Sequence, residues 1–277
     1  TARIISFVYA GFSVASVLGT PIGTLLSDAF GIKSAFVAVE AVALLVTVLL
    51  LISVPRSGST DVSSSVREQL VILKDRRIIL VLVMKAFGMA ATYVFYVYVT
   101  PILEDSVGLS VWMVSLVLFF YGGATIVSNL GSGSLAQRYG LGKLPLMFAL
   151  QALVLVLLGV SLASGNTVLC IINVVLTGVF IYHMNAPLQS YLLQVSAKDY
   201  PRALTLASAV MPTSSDIGIA TGSFMGGVVA TNLGFAWSGP VGAVLAVISV
   251  VAAFMILQPE SRMGGSLRSR LRRNRKQ

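Results

Sequence analysis

Long apolar runs separated by short polar turns make up nearly the whole chain. Each run is long enough for a helix of about 20 residues, which crosses a hydrocarbon core of about 30 Å. A helix satisfies its own backbone polar groups in lipid, and the sequence lacks the alternating pattern of a membrane barrel. We therefore predict an all-α membrane protein with eight spans, at residues 4–27, 34–54, 78–101, 110–135, 144–163, 167–193, 204–230 and 236–257.

One long polar interruption, at residues 55–77, divides these spans unequally. It begins with Ser and Gly and ends with a cluster of charged residues. Two spans precede it and six follow it. We predict four parts: residues 1–54 with two spans, 55–77 as an inter-half loop, 78–257 as a six-helix half, and 258–277 as a basic tail.

Composition supports a bilayer protein, because 56% of the residues are hydrophobic and only 10% are charged, whereas about a quarter are charged in soluble domains. The single cysteine, Cys170, excludes an internal disulfide and a Cys-based metal site. We expect no cofactor and no bound metal. The first residue is Thr1 rather than Met, which suggests a longer protein.

The distribution of positive charge predicts the orientation of the spans. If the amino terminus lies inside, seventeen of the nineteen Lys and Arg residues fall on that side, all but Lys33 and Lys85. By the positive-inside rule this side is cytoplasmic. We expect a multi-pass protein of the cell membrane with both termini in the cytoplasm.

Residues 258–277 carry seven Arg or Lys against one Glu. Such a tail either binds anionic lipid or is a solvated segment that sets topology, and the second interpretation is favoured. Nucleic-acid binding has no aromatic or folded platform here.

Small residues and a proline mark the first span, at Gly11, Gly19, Pro21 and Gly23. Small residues allow close backbone approach, and proline removes a helix donor. Together with residues 30–36 and the next span, this pattern resembles the fifth and sixth helices of twelve-span efflux permeases of the major facilitator superfamily. Thr20 separates Gly19 from Pro21, so the match is to a variant of the family's antiporter motif.

A second match covers residues 131–140, with Gly133, Arg138 and Gly140. It resembles the loop motif between the second and third helices of each six-helix half. The family commonly has Asp before the Arg, where this chain has Gln137, so Arg138 is either a gating residue or a topological charge. Residues 209–229 resemble the glycine-rich eleventh helix.

The resemblance covers helices five to twelve of a six-plus-six fold, with the first four missing. It implies a secondary transporter that moves a small organic solute, a sugar or a drug-like compound, outward in exchange for protons. Its partners would be the lipid bilayer, the solute and protons.

Two other classes compete with this interpretation. A truncated, non-transporting remnant is the alternative for the chain as given. A membrane enzyme is disfavoured, because the sequence has no HExxH motif and only one His.

Charges within spans are costly and therefore mark candidate functional residues. Asp216 lies mid-span and must face protein or a cavity, either as a proton carrier or as a structural hydrogen-bonding group. Gly218, Gly222 and Gly226 form a separate stripe suited to helix contact. Glu40 lies in a helix that the resemblance makes peripheral, so a coupling role is disfavoured.

Lys85 lies about two turns from the cytoplasmic end of its span, where its stem could carry the ammonium to the interface. The resemblance makes this the cavity-lining seventh helix and implies that Lys85, Tyr93 and Tyr96 face the substrate, although such a stripe also suits helix packing.

The tenth family helix, also cavity-lining, places Tyr182, Asn185 and Gln189 at helical spacing on one face. These groups can hydrogen-bond sugar hydroxyls or polar drug groups. The only histidine, His183, is a candidate proton carrier, although a lone His is more often structural. Asn129 is expected to be a packing contact.

Overall fold

The computed structural model describes residues 22–23, 26–27, 29–53 and 66–274, with side chains described up to residue 258 and not at 66–67. It divides the chain into two units, Thr1–Ser63 and Ser64–Gln277. The predicted residues Gly11, Gly19 and Pro21, together with most of the first predicted span, lie outside the described residues. Gly23 is described and is helical.

In the first unit, helix α1 covers Ile32–Ser53. It follows Gly31, whose φ of +84° favours glycine because a Cβ is strained there. The helix is apolar on all sides, and no residue of it is buried within the chain. A helix with apolar residues all round suits a lipid environment. Glu40 is exposed on it.

The second unit begins with part of the interruption that we predicted to be one polar loop. Residues Val66–Gln69 form an α-helical turn, and Leu70–Lys74 form a 3-10 helix. Ile72 is completely buried in the core of the unit, which explains why this segment is folded rather than free in solvent. Asp75 then caps helix α2 by accepting a hydrogen bond from the Arg77 amide at 2.8 Å.

Each of the remaining predicted spans begins within two residues of the start of a helix in the structure. Helix α2, Arg76–Tyr96, ends before the predicted residue 101. Pro101 explains the early end, because it lacks a backbone donor and its ring would clash with the carbonyl four residues earlier. A short α turn at Val99–Pro101 and a π turn at Ile102–Ser106 follow. The helices are α2 Arg76–Tyr96, α3 Val111–Tyr139, α4 Leu144–Ser164, α5 Thr167–Phe180, α6 Asn185–Asp199, α7 Leu204–Asn232 and α8 Ser238–Asn274.

One predicted span is broken in the structure. We predicted a continuous helix over residues 167–193, but α5 ends at Phe180 and α6 begins at Asn185. Pro187 explains the break, since its ring would clash with the carbonyl of His183 in a continuous helix. The prediction of regular helical spacing from Tyr182 to Gln189 was therefore wrong at Tyr182, which lies in the break.

Helix α8 also differs from its prediction, because its backbone stays helical to Asn274, through most of the segment predicted as a tail. Six helical stretches of the described residues are long and apolar enough to cross a membrane. Helix α7 has 29 residues but is more polar than these. The total of eight spans stays a prediction. The six stretches are Ile32–Ser53, Arg76–Tyr96, Val111–Tyr139, Leu144–Ser164, Thr167–Asp199 and Phe235–Gln258.

Helix α2 is the centre of the second unit and packs against α7 and α8, while α8 also packs against α4. A Cβ on Gly222 would lie 2.5 Å from the Ala90 carbonyl oxygen, and one on Gly242 would lie 2.3 Å from that of Ala91. Lipid supplies no hydrophobic drive for helix association, so close packing through small residues holds such bundles together. The same contact is made by Gly218 against Ala86 and by Gly226 against Val94.

Candidate functional site

The break between α5 and α6 lies against α3, which supplies the hydrogen bonds that the interrupted helix lacks. The Tyr182 amide donates to Ser128 Oγ at 2.9 Å, and the Ala186 amide donates to Ser132 Oγ at 3.2 Å. Non-helical backbone at membrane depth is tolerated where protein surrounds it and neighbouring side chains satisfy it. The two serines are one helical turn apart on α3, so a single face of α3 stabilises the break.

Lys85 of α2 points toward this break rather than toward the membrane interface. Its side chain is 5% exposed, and its ammonium donates a hydrogen bond to Asn185 Oδ1 at the start of α6. Asn185 Nδ2 in turn donates to Asn129 Oδ1 of α3 at 3.2 Å. These three residues thus form a polar chain across three helices, and Asn129 belongs to the site as well as to the packing.

Four tyrosines pack together on the same elements that carry this polar chain. Tyr96 of α2 stacks on Tyr121 of α3 with ring centroids 4.9 Å apart, and Tyr93 meets the ring of Tyr96 edge-on at 5.4 Å. Tyr93 and Tyr182 share a side-chain hydrogen bond. Tyr93 and Tyr96 are half-buried. The elements that carry the buried cation therefore also carry an aromatic cluster.

Asp216 lies on the exposed face of α7 within the second unit, and its charge is near enough to act on Lys85 and Tyr93. This face also exposes Thr205, Ala209, Thr213 and Ala220. A carboxylate at this depth is unfavourable against lipid. The face is therefore suited to a water-filled cavity or to another part of the protein.

His183 lies in the break, and its ring and hydrogen-bond contacts among the described residues are with Phe148 and Phe180 rather than with the polar chain. Its ring is 5% exposed, meets Phe148 edge-on at 4.9 Å, and its Nδ1 contacts the Phe180 carbonyl. A carbonyl only accepts, so Nδ1 carries the proton. Nε2 is buried and has no hydrogen-bond partner in the described part of the chain. This geometry favours a structural role, in which His183 satisfies a carbonyl released by the broken helix.

The motif residues of α3 lie apart from this site. Arg138 is exposed near the end of α3 and forms no ion pair within the ranges that the structure describes. Gly140 ends the helix with a φ of +53°. A Cβ on Gly133 would meet nothing within 4 Å.

Ion pairs lie instead where α2 begins and α6 ends. Arg77 binds the carboxylate of Asp75 at 2.7 Å and that of Asp199 at 2.6 Å, and the Tyr200 hydroxyl donates to Asp75 at 3.1 Å. The hydrogen bonds from Arg77 hold the pKa of Asp75 below its usual value. We call these four residues the ion cluster. Arg202 and Glu68 form a longer contact nearby, at 4.0 Å.

Comparison with known proteins decides the family. The family model described as Major Facilitator Superfamily matches residues 1–202, which is more than half of the chain. The chain belongs to the major facilitator superfamily. The family resemblance predicted from residues 11–23 and 131–140 is confirmed at this level.

Two relatives of this major facilitator chain are similar over almost its whole length. An uncharacterised transporter of the major facilitator type from Bacillus subtilis (strain 168), YtbD, is 30% identical over 90% of this chain and 63% of its own length. The inner membrane transport protein YdhP of Escherichia coli (strain K12) is 25% identical over 94% of this chain and 66% of its own length. The chain thus spans slightly less than two thirds of each relative.

Several residues of the site were not foreseen from sequence. The sequence offered a clue to Ser128 and Ser132, because they are polar, lie one turn apart, and belong to a span that faces a proline-containing helix. Outside the site, Gln151 of α4 was also not foreseen. Its Nε2 donates to the Gly88 carbonyl at 2.9 Å and to Thr92 Oγ1 at 3.0 Å, and the sequence showed only a polar residue in an apolar run.

Proposed function

We propose that this protein is a secondary transporter that exports a small organic solute in exchange for protons, with the polar chain and tyrosines of the second unit on one wall of its cavity. The observation that carries the proposal is the buried Lys85, held by Asn185 at a helix break and close to the charge of Asp216. A cation in this position is expensive to insert into a membrane. A transport pathway explains why the charge is kept despite the cost of inserting it, and a purely structural bundle does not.

Asp216 is the proton carrier in this proposal. As a carboxylate it attracts the Lys85 ammonium, and after it takes up one proton from the aqueous cavity that attraction is lost. Loss of attraction changes the relative free energies of the two access states, which is how a bound proton shifts a two-state equilibrium. Release of the same proton on the other side of the membrane restores the pair.

The solute site combines aromatic faces with amide groups. Tyr93, Tyr96 and Tyr182 offer ring surface and hydroxyls, and Asn185 and Gln189 at the start of α6 offer neutral donors and acceptors. Such a wall suits a solute that has both an apolar face and hydrogen-bonding groups. Sugars and drug-like compounds both meet this description.

The sequence supports a specific orientation of the helices in the membrane and a specific correspondence to the family helices. We propose that the described helices correspond to family helices six to twelve, that the ends of the chain lie in the cytoplasm, and that the protein resides in the cell membrane. The positive charges at the start of α2 and after residue 258 support this orientation.

A two-step experiment tests the proposal with the complete gene product. A thermal-shift screen of sugars and drug-like compounds first identifies a solute that stabilises the purified protein. Transport of that solute is then measured in proteoliposomes with and without an imposed pH gradient. Asp216→Asn should abolish gradient-driven transport while solute binding remains, and Asp105→Asn, an exposed acid outside the site, should leave transport unchanged. Gradient-driven transport by Asp216→Asn at the rate of the unmodified protein would rule out this carrier.

A further inference from the structure

A groove runs along the outer surface of the second unit between α2 and α8. It has a volume of about 280 Å³, and every residue that lines it is apolar. The α8 side chains Val247 and Val251 are exposed there. The groove is lined by Leu80, Val83, Val247, Ile248, Val251, Ala252 and Met255.

On α2, Arg76 lies on the same face as the two residues that line this groove. Arg76, Leu80 and Val83 follow one another at i, i+4 and i+7 and therefore share one face of the helix. Arg76 is exposed and forms no ion pair within the described residues. Its neighbour Arg77, in contrast, already binds Asp75 and Asp199. Arg76 is therefore available to bind an anion at the mouth of the groove.

The α8 wall runs antiparallel to the α2 wall. Gly242 of α8 packs against Ala91 of α2, and Ser249 Oγ of α8 donates to the Met84 carbonyl at 3.3 Å. Met255, near the end of the apolar part of α8, therefore lies toward the end of the groove where α2 begins. After Gln258 the sequence continues with seven Arg and Lys residues by position 276. The end of this entirely apolar groove where α2 begins thus has Arg76 beside it, and the sequence that follows the apolar part of α8 is basic.

An anionic phospholipid has the matching chemistry. Its acyl chain fits an apolar groove open to the hydrocarbon core, and its phosphate fits a guanidinium, which binds phosphate oxygens through two parallel hydrogen bonds. Basic residues beside a membrane add attraction for anionic headgroups. We propose that this groove, with Arg76 at its mouth, is a specific binding site for one anionic phospholipid of the surrounding bilayer.

The test measures lipid binding by the complete gene product in nanodiscs of phosphatidylcholine, into which phosphatidylglycerol with identical acyl chains is titrated. Native mass spectrometry after release into detergent counts the retained lipid. We expect one phosphatidylglycerol to be retained preferentially over phosphatidylcholine. Arg76→Gln should weaken this preference about fivefold, the effect of one basic residue near a membrane surface. Val251→Trp, which fills the groove, should reduce retention of both lipids.

Matched variants separate this site from general effects. Lys198→Gln removes another exposed positive charge, and Val160→Trp places the same bulky side chain on an exposed position of α4 outside the groove. Both should retain phosphatidylglycerol as the unmodified protein does. Equal loss in Arg76→Gln and Lys198→Gln, or undiminished retention in Val251→Trp, would overturn the proposal.

A second measurement identifies the occupant directly. A photo-reactive amino acid at position 251 should crosslink to phospholipid in the membrane. A crosslink to another segment of the protein or to a second polypeptide would instead show that protein covers the groove, and the lipid site would be refuted.

Discussion

At the scale of single residues, Lys85 is the most unusual feature of the described chain. A buried ammonium is stable only when its charge is hydrogen-bonded and opposed, and here Asn185 accepts its hydrogen bond while Asp216 supplies the opposing charge. The hydrogen bond to Asn185 holds the ammonium in place, while Asp216 acts on it through its charge and forms no ion pair with it within the described residues. Removal of Lys85 is therefore informative, because transport should be lost while stability is kept or increased.

Lys85→Met tests this expectation by removing the charge while keeping a similar length and volume. Replacing a buried ion pair by apolar side chains is often neutral or stabilising, by about 1–4 kcal/mol, whereas removing one partner is destabilising where the other charge stays buried. Asp216 is exposed on α7, so the charge that Lys85→Met leaves behind is solvated. We expect an unchanged or raised melting temperature in detergent, together with loss of gradient-driven transport. Lys198→Met, at an exposed position, serves as the control and should alter neither. A variant that unfolds would show instead that Lys85 mainly stabilises the bundle.

At the scale of helices, α2 is held by glycine contacts on one side and the broken helix α5–α6 is held by serine contacts on α3. The two kinds of contact have different structural roles. The glycines remove side-chain bulk so that backbones approach closely, and the serines replace the backbone hydrogen bonds that the break removes.

Gly222→Leu should disrupt the contact between α7 and α2. Even a Cβ at this position would lie 2.5 Å from the Ala90 carbonyl oxygen, and inserted bulk in a packed core typically costs about 1–3 kcal/mol, occasionally more. We expect a lower melting temperature of the purified protein. Gly123→Leu on α3, where a Cβ meets nothing within 4 Å, is the matched control. Equal destabilisation by the two variants would contradict the proposed packing role.

Ser132→Ala should destabilise the break by leaving the Ala186 amide without its acceptor. A buried unsatisfied donor costs about 1–3 kcal/mol, and the effect should appear as faster hydrogen exchange at residues 181–188. Ser115→Ala is the control, because the Ser115 hydroxyl is exposed and, among the described residues, bonds only to the Val111 carbonyl of its own helix. Exchange that is equally slow in both variants would show that Ser132 is dispensable.

At the scale of the whole second unit, the ion cluster joins segments that are far apart in sequence. Arg77 at the start of α2 binds Asp199 at the end of α6, so that the beginning and the later part of the unit are connected at one end. Because Arg77 is 44% exposed as a side chain, solvent weakens these pairs, and their contribution is expected to be about 1 kcal/mol.

The ion cluster should make stability depend on pH. The Arg77 hydrogen bonds depress the pKa of Asp75 in the folded state, so the stabilisation is complete above the unfolded pKa of about 3.9 and is lost as the pH falls through the lower folded value. We expect the melting temperature of Asp75→Asn to be about 2–4 °C lower at pH 7. At a pH below both the folded and the unfolded pKa of Asp75, the difference in melting temperature between Asp75→Asn and the unmodified protein should largely disappear.

Asp75→Asn is suited to this measurement because Asn also caps helices well, so the start of α2 is preserved. Asp105→Asn changes an exposed acid that forms no ion pair in the described ranges, and it should retain the full pH dependence. If both variants follow the curve of the unmodified protein, the ion cluster does not stabilise the fold.

The sequence by itself determined the environment of the chain and the approximate positions of its helices. Both follow from local composition, since about 20 consecutive apolar residues must cross the bilayer as a helix wherever they occur. The motifs at residues 11–23 and 131–140 also predicted the superfamily correctly. The folded turns at 66–74 were missed, because burial of Ile72 depends on helices distant in sequence.

Only the tertiary structure decided which polar groups meet. Lys85, Asn129 and Asn185 are on three different helices, and helical periodicity specifies a face without specifying the helix that faces it. The break at residues 181–184 depends on Pro187 locally, yet it is tolerated because two serines of α3 satisfy its amides. Apolar helices can associate in many ways, and the site exists only in the arrangement that brings these side chains together.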